Sequence, residues 1–77
     1  MQELLLYLAR TLVDRPDDVR VEATTEDDGT VLLELSAHED DYGKLIGRGG
    51  RTASALRTVL KAAAVRERRR VLLDIVD

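Results

Sequence analysis

The sequence has no cysteine, no phenylalanine and no tryptophan, and its 77 residues include one proline, one histidine and two tyrosines. Without cysteine there is no disulfide framework and no thiolate zinc site, and the chain suits a reducing compartment. With so few aromatic rings, stacking on aromatics is not the main way this chain would hold a flat ligand. The lone His38 stands beside an acidic turn and has no evident nucleophile–base partner, so the expectation is a surface histidine and no enzyme. Asp27-Asp28 and Glu39-Asp40-Asp41 lack the ligand spacing of a calcium loop and read as solvated turns. No metal and no cofactor are therefore expected. No stretch approaches the ~20 apolar residues of a membrane span, and Met1-Gln2-Glu3-Leu4 has no basic signal-like start, so the expectation is a soluble cytoplasmic protein with no membrane partner.

What is present fits one small globular domain over residues 1–77, with 44% hydrophobic and 35% charged residues. The net charge of −3 hides a steep division. Residues 1–42 carry three basic and twelve acidic side chains, a net of −9, whereas residues 43–77 carry nine basic and three acidic ones, a net of +6. Such a split predicts one acidic and one basic face.

Leu4, Leu5, Leu8 and Leu12 recur at helical spacing, so residues 3–13 read as an amphipathic helix that Asp14-Arg15-Pro16 ends. Val19, Val21 and Ala23 alternate with Arg20, Glu22 and Thr24 in a half-buried strand. Asp27-Asp28-Gly29 is a turn signal, and Thr30 to Ala37 makes a second strand facing inward through Val31, Leu33, Leu35 and Ala37. Asp40 or Asp41 is placed to cap a short helix over Tyr42–Ile46. Gly47-Arg48-Gly49-Gly50 interrupts, and a longer helix from about Arg51 to Val65 buries Ala53, Leu56, Val59, Leu60 and Ala63. Val71 to Val76 forms the last strand. The two helices between the last two strands are too long a link for a hairpin, so those strands should pair in parallel. The pattern predicts an α+β fold of order α-β-β-α-α-β, with a three-stranded mixed sheet and three helices on one face. Leu32, Leu72 and Val76 would lie on the other face, a candidate surface for a second copy.

Gly43-Lys44-Leu45-Ile46-Gly47-Arg48-Gly49-Gly50-Arg51-Thr52 resembles the signature of KH domains, in which Ile-Gly-x-x-Gly separates two short helices. The element order resembles the type II version of that fold. The segments 12–19 and 56–64 are also similar to the small bacterial stand-alone KH proteins of the KhpA family. The resemblance implies a single-stranded RNA-binding module, an RNA chaperone or post-transcriptional regulator. It also implies self-pairing and pairing with larger KH-containing proteins of the Jag type, and an assembly module is the alternative reading.

On this reading Gly47, Gly49 and Gly50 let an RNA backbone approach closely, because no Cβ stands in the way. Free N–H groups near Gly49, Gly50 and Arg51, together with the opening of the second helix, favour a phosphate. Arg48 adds a guanidinium that fits phosphate oxygens. Lys44, Arg51 and Arg57 extend the basic site. Lys61, four residues after Arg57, fits either a phosphate track or a solubilising face. Ile46 fits either the apolar floor of a base groove or plain core, and Leu33 and Leu35 read first as core. Arg68, Arg69 and Arg70 read as a solvated turn. Gly49 stands where KH loops more often carry a polar or basic side chain, which implies a loose loop and low affinity.

Overall fold

The structure, a computed structural model, describes residues 1–76. Its elements run α1 (Gln2–Leu12), a 3-10 turn (Pro16–Asp18), β1 (Arg20–Thr25), β2 (Val31–Ser36), an acidic 3-10 turn (Glu39–Asp41), α2 (Tyr42–Ile46), a 3-10 turn (Arg48–Gly50), α3 (Arg51–Arg66) and β3 (Val71–Ile75). The expected α+β order is present, and three helices accompany a three-stranded mixed sheet. β2 is central, antiparallel to β1 and parallel to β3. The β1–β2 turn closes with the Gly29 N–H donating to the Glu26 carbonyl and the Thr30 N–H to the Asp28 carboxylate, both at 2.9 Å.

The core lies between the inner sheet face and the helices. Leu5 and Ala9 of α1, Leu33 and Leu35 of β2, Leu45 of α2 and Leu60 of α3 are all fully buried. The alternation expected of β2 and β3 holds, with Val31, Leu33 and Leu35 beside Val71 and Leu73 on the inner face. Two expectations need correction. Ala23 is exposed, because β1 is an edge strand that runs past the start of α1, whose Gln2 amide already reaches the Val21 carbonyl at 2.8 Å. On α3 the buried positions are Ala53, Leu56, Leu60 and Ala64, while Val59 is 43% exposed. At about 100° per residue, Val59 lies a quarter-turn off that stripe.

The outer sheet face has no helix against it, as expected, but its chemistry is not simply apolar. The register sets Glu22 opposite Glu34 and Glu34 opposite Asp74, so one row across the sheet holds three carboxylates. A neighbouring row is Thr24, Leu32 and Leu72. Like charges directly opposite repel, and stacking two copies through this face would bring six carboxylates together. That makes it a poor surface for the symmetric dimer suggested by Leu32, Leu72 and Val76.

α3 ends where its orphan carbonyls find donors. The Glu67 N–H reaches the Ala63 and Ala64 carbonyls, the Arg68 N–H the Val65 carbonyl at 3.1 Å, and the Arg69 N–H the Ala64 carbonyl at 2.9 Å. Arg68 takes the left-handed conformation, φ 58°, that such a stop requires. β3 then runs back alongside α3, so the crossover returns the chain past the loop it began with.

Candidate nucleic-acid interface

The glycine loop joins α2 to α3. Gly47 closes α2 with φ 76° and donates its N–H to the Gly43 carbonyl at 2.9 Å. A Cβ here would stand 2.8 Å from the Cβ and backbone nitrogen of Thr52, and closer still to its hydroxyl. The first turn of α3 therefore packs directly on Gly47, and only glycine fits. Gly49 has φ 65°, and a Cβ there would meet open space. Gly47 is thus fixed by the fold, whereas Gly49 is fixed by backbone angle alone.

The free donors sit one step earlier than expected. The Gly50 N–H is taken by the Gly47 carbonyl at 3.0 Å, and the Arg51 N–H by the Arg48 carbonyl, because the 3-10 turn closes on itself. Among the described residues, the N–H groups of Arg48 and Gly49 have no backbone acceptor. These two residues lie between the flanking glycines, and the exposed Arg48 side chain belongs to the same turn. Two unpaired amides and a guanidinium on one exposed turn can hold an oxyanion.

From this turn a cationic seam follows α3. The helix has no acidic residue over its length from Arg51 to Arg66. The Arg57 guanidinium turns toward the sheet and donates to the Leu73 carbonyl of β3 at 3.4 Å. A groove of about 130 Å³ between α3 and β3 is lined by Arg57, Leu60, Lys61 and Leu72. It meets a wider one of about 380 Å³ that Lys61 shares with Arg69 and Arg70. Lys61 therefore faces a groove, and Arg69 and Arg70 belong with it despite their distance along the chain from the glycine loop. The sequence signal for them was the arginine run just before β3, which returns antiparallel to α3.

Ile46 is 44% exposed and is not core. It lies on the same face of α2 as Tyr42, whose hydroxyl accepts from the Ala37 N–H at 3.2 Å and donates to the Val76 carbonyl, beside the ends of β2 and β3. Leu33 and Leu35 are fully buried and line no groove.

Lys44 is differently placed. Its ammonium lies 2.8 Å from the Asp14 carboxylate and 3.8 Å from that of Asp41. The hydrogen bond and charge of Asp14 hold Lys44 above the ordinary lysine range and Asp14 below the ordinary carboxylate range. Asp41 does not cap α2 with its side chain. It is fully buried and accepts the N–H groups of Asp14 at 3.4 Å and Arg15 at 3.1 Å. Instead, His38 caps the preceding turn, its Nδ1 accepting from the Asp40 N–H at 3.1 Å. No periodicity rule marks an aspartate in an acidic turn as the one that folds inward, so Asp41 was missed.

The KhpA/KhpB KH-domain family model matches residues 2–75, nearly the whole chain. The chain belongs to this family. The RNA-binding protein KhpA of Halalkalibacterium halodurans is 56% identical to it over 78 residues, covering both chains fully. The RNA-binding protein KhpA of Clostridium acetobutylicum is 47% identical, over 99% of this chain and 100% of the relative. That of Bacillus subtilis is 43% identical, over 100% of this chain and 94% of the relative. Among the described residues, no helix is long and apolar enough to cross a membrane, and no group of three or more His, Cys, Asp or Glu side chains is placed to hold a metal.

Proposed function

We propose that this KH domain binds single-stranded RNA, clamping its backbone on the Gly47–Gly50 turn and leading it along the α3–β3 seam. The observation that carries the reading is the pair of unpaired amides at Arg48 and Gly49 on an exposed turn that opens an acid-free helix. One phosphate sits on the turn, while Arg51, the first residue of α3, lines the groove between α1 and α3 and flanks the turn on the side away from the seam. Arg57 and Lys61 flank the groove beyond, and the exposed Ile46, last residue of α2, offers an apolar surface next to the turn. KH domains clamp about four nucleotides, and α3, at about 1.5 Å per residue, offers a track of suitable length. The relatives' printed names support RNA as the ligand.

A module of this size acts as an RNA chaperone or post-transcriptional regulator in the cytoplasm, without catalysis. Association with a second copy, or with a Jag-type KH-containing partner, is part of the same proposal. One observation favours such pairing: an apolar groove of about 350 Å³ between α1 and α3, lined by Leu8, Leu12, Ala55 and Val59.

The test replaces Arg48 and Gly49 together by Asp. The turn is exposed, a Cβ at position 49 meets nothing, and aspartate tolerates the left-handed region better than most residues. Circular dichroism should be unchanged and gel-shift binding of a short single-stranded RNA abolished, because two carboxylates would face the phosphate. Unchanged affinity in the folded double variant would refute the clamp.

A further inference from the structure

The clamp must be held in place, and α2, which presents it, has only five residues, too short to be stable as a helix by itself. Its core anchor is Leu45, fully buried. On one face Tyr42 ties it to the ends of β2 and β3. On the other face stands Lys44, about 200° around the helix from both Tyr42 and Ile46. Ile46 shares the Tyr42 face, so Lys44 points away from it. There the Lys44 ammonium meets Asp14, in the link between α1 and β1, and the buried Asp41 at the head of α2 itself.

Asp41 explains why the cation is needed. A carboxylate taken fully out of water is costly unless hydrogen bonds and an opposite charge compensate it. Asp41 has two N–H donors from the α1–β1 link, and Lys44 is the cation nearest to it. Arg15 adds a looser tie to Asp40 at 3.6 Å. The acidic turn, the α1–β1 link and α2 thereby form one braced unit behind the loop.

The geometry points to Lys44 as a positioning residue for the clamp, its ammonium bracing α2 against Asp14 and Asp41 rather than contacting RNA. This rests on the RNA-clamp reading above. A phosphate contact would put Lys44 on the groove side of α2, free of carboxylates; it has neither property.

The experiment compares Lys44→Met and Asp14→Asn with the unaltered chain. Each is titrated with a short single-stranded RNA at several salt concentrations, with circular dichroism as a check on folding. Bracing predicts that both variants bind more weakly, by about threefold or more, with an unchanged log–log salt slope, since no phosphate contact is lost. If Lys44 touched a phosphate, Lys44→Met would flatten the slope by about 0.7, and Asp14→Asn, by releasing the ammonium, would tighten binding. Either result overturns the inference, as does unaltered affinity in both folded variants. Asp14 is exposed, so its variant remains informative if Lys44→Met fails to fold. The Arg48→Asp, Gly49→Asp double variant serves as a control. Wild-type affinity there would fault the clamp itself and not the brace.

Discussion

Gly47 and Gly49 look alike in the sequence and differ in what holds them. Both have positive φ, but only Gly47 is in contact with α3. Gly47→Ala would combine left-handed strain with a clash against the Thr52 backbone, and we expect it to destabilise the fold by about 2–4 kcal/mol. Gly49→Ala bears the strain alone and should cost about 1 kcal/mol. Urea unfolding of the two variants measures the contrast, and equal losses would mean that Thr52 yields easily. The Ile-Gly-x-x-Gly motif made Gly47 legible, because it is a local pattern, whereas Gly49 fills one of its variable positions and stands outside it. Asp41 was not legible, since its role depends on two backbone N–H groups 26 and 27 residues away, and nothing local distinguishes it from Asp40.

At the scale of elements, most of the fold was readable. α1, β2, α2 and β3 fall within a residue or two of where periodicity puts them, because each carries a clear apolar stripe or alternation. β1 was readable as a strand but not as an exposed edge, and the apolar stripe of α3 was placed a quarter-turn off at Val59. Those errors concern neighbours: a period says which residues share a face, not how far the next layer extends. The carboxylate row across the sheet is also a matter of register. Glu34 stands at its centre, facing Glu22 on one side and Asp74 on the other. Glu34→Gln should therefore raise stability, by about 0.5–1 kcal/mol at low salt. The gain should shrink in concentrated salt, where exposed charges are screened. Thermal unfolding at two ionic strengths checks both statements, and a destabilised variant would show that Glu34 has a favourable partner.

For the whole molecule, the charge division becomes a directional field. The cations collect on the glycine loop and along α3, while acidic residues dominate the α1–β1 link, the β1–β2 hairpin, the turn before α2 and the outer sheet row. RNA is drawn to one side and repelled from the other. A clamp holding two or three phosphates should show a log–log salt slope of about −1.4 to −2.1 for single strands. Without aromatic stacking, binding should be on the order of micromolar or weaker. A matched duplex should bind less well than the single strand. A flat salt response or a preference for duplex would favour the pure assembly reading. On the clamp reading, useful affinity would come from joining two such sites, through a second copy or a partner with its own RNA-binding surface.

The parallel pairing of β2 with β3 has a further consequence, for the order of events in folding. Val31 pairs with Val71, so closing that ladder joins residues forty positions apart, whereas the β1–β2 hairpin closes across a short turn. Long-range closure of this kind comes at a higher entropic cost and tends to be late. The Gly47–Gly50 turn lies inside the segment being closed, and Tyr42, Arg57 and the α3–β3 groove all depend on the β3 backbone. A chain still emerging during synthesis, with β3 not yet made, therefore has every residue of the turn but lacks the strand that completes the groove and braces α2 and α3. On the clamp reading, we expect nascent chains to bind RNA poorly until the last strand is in place.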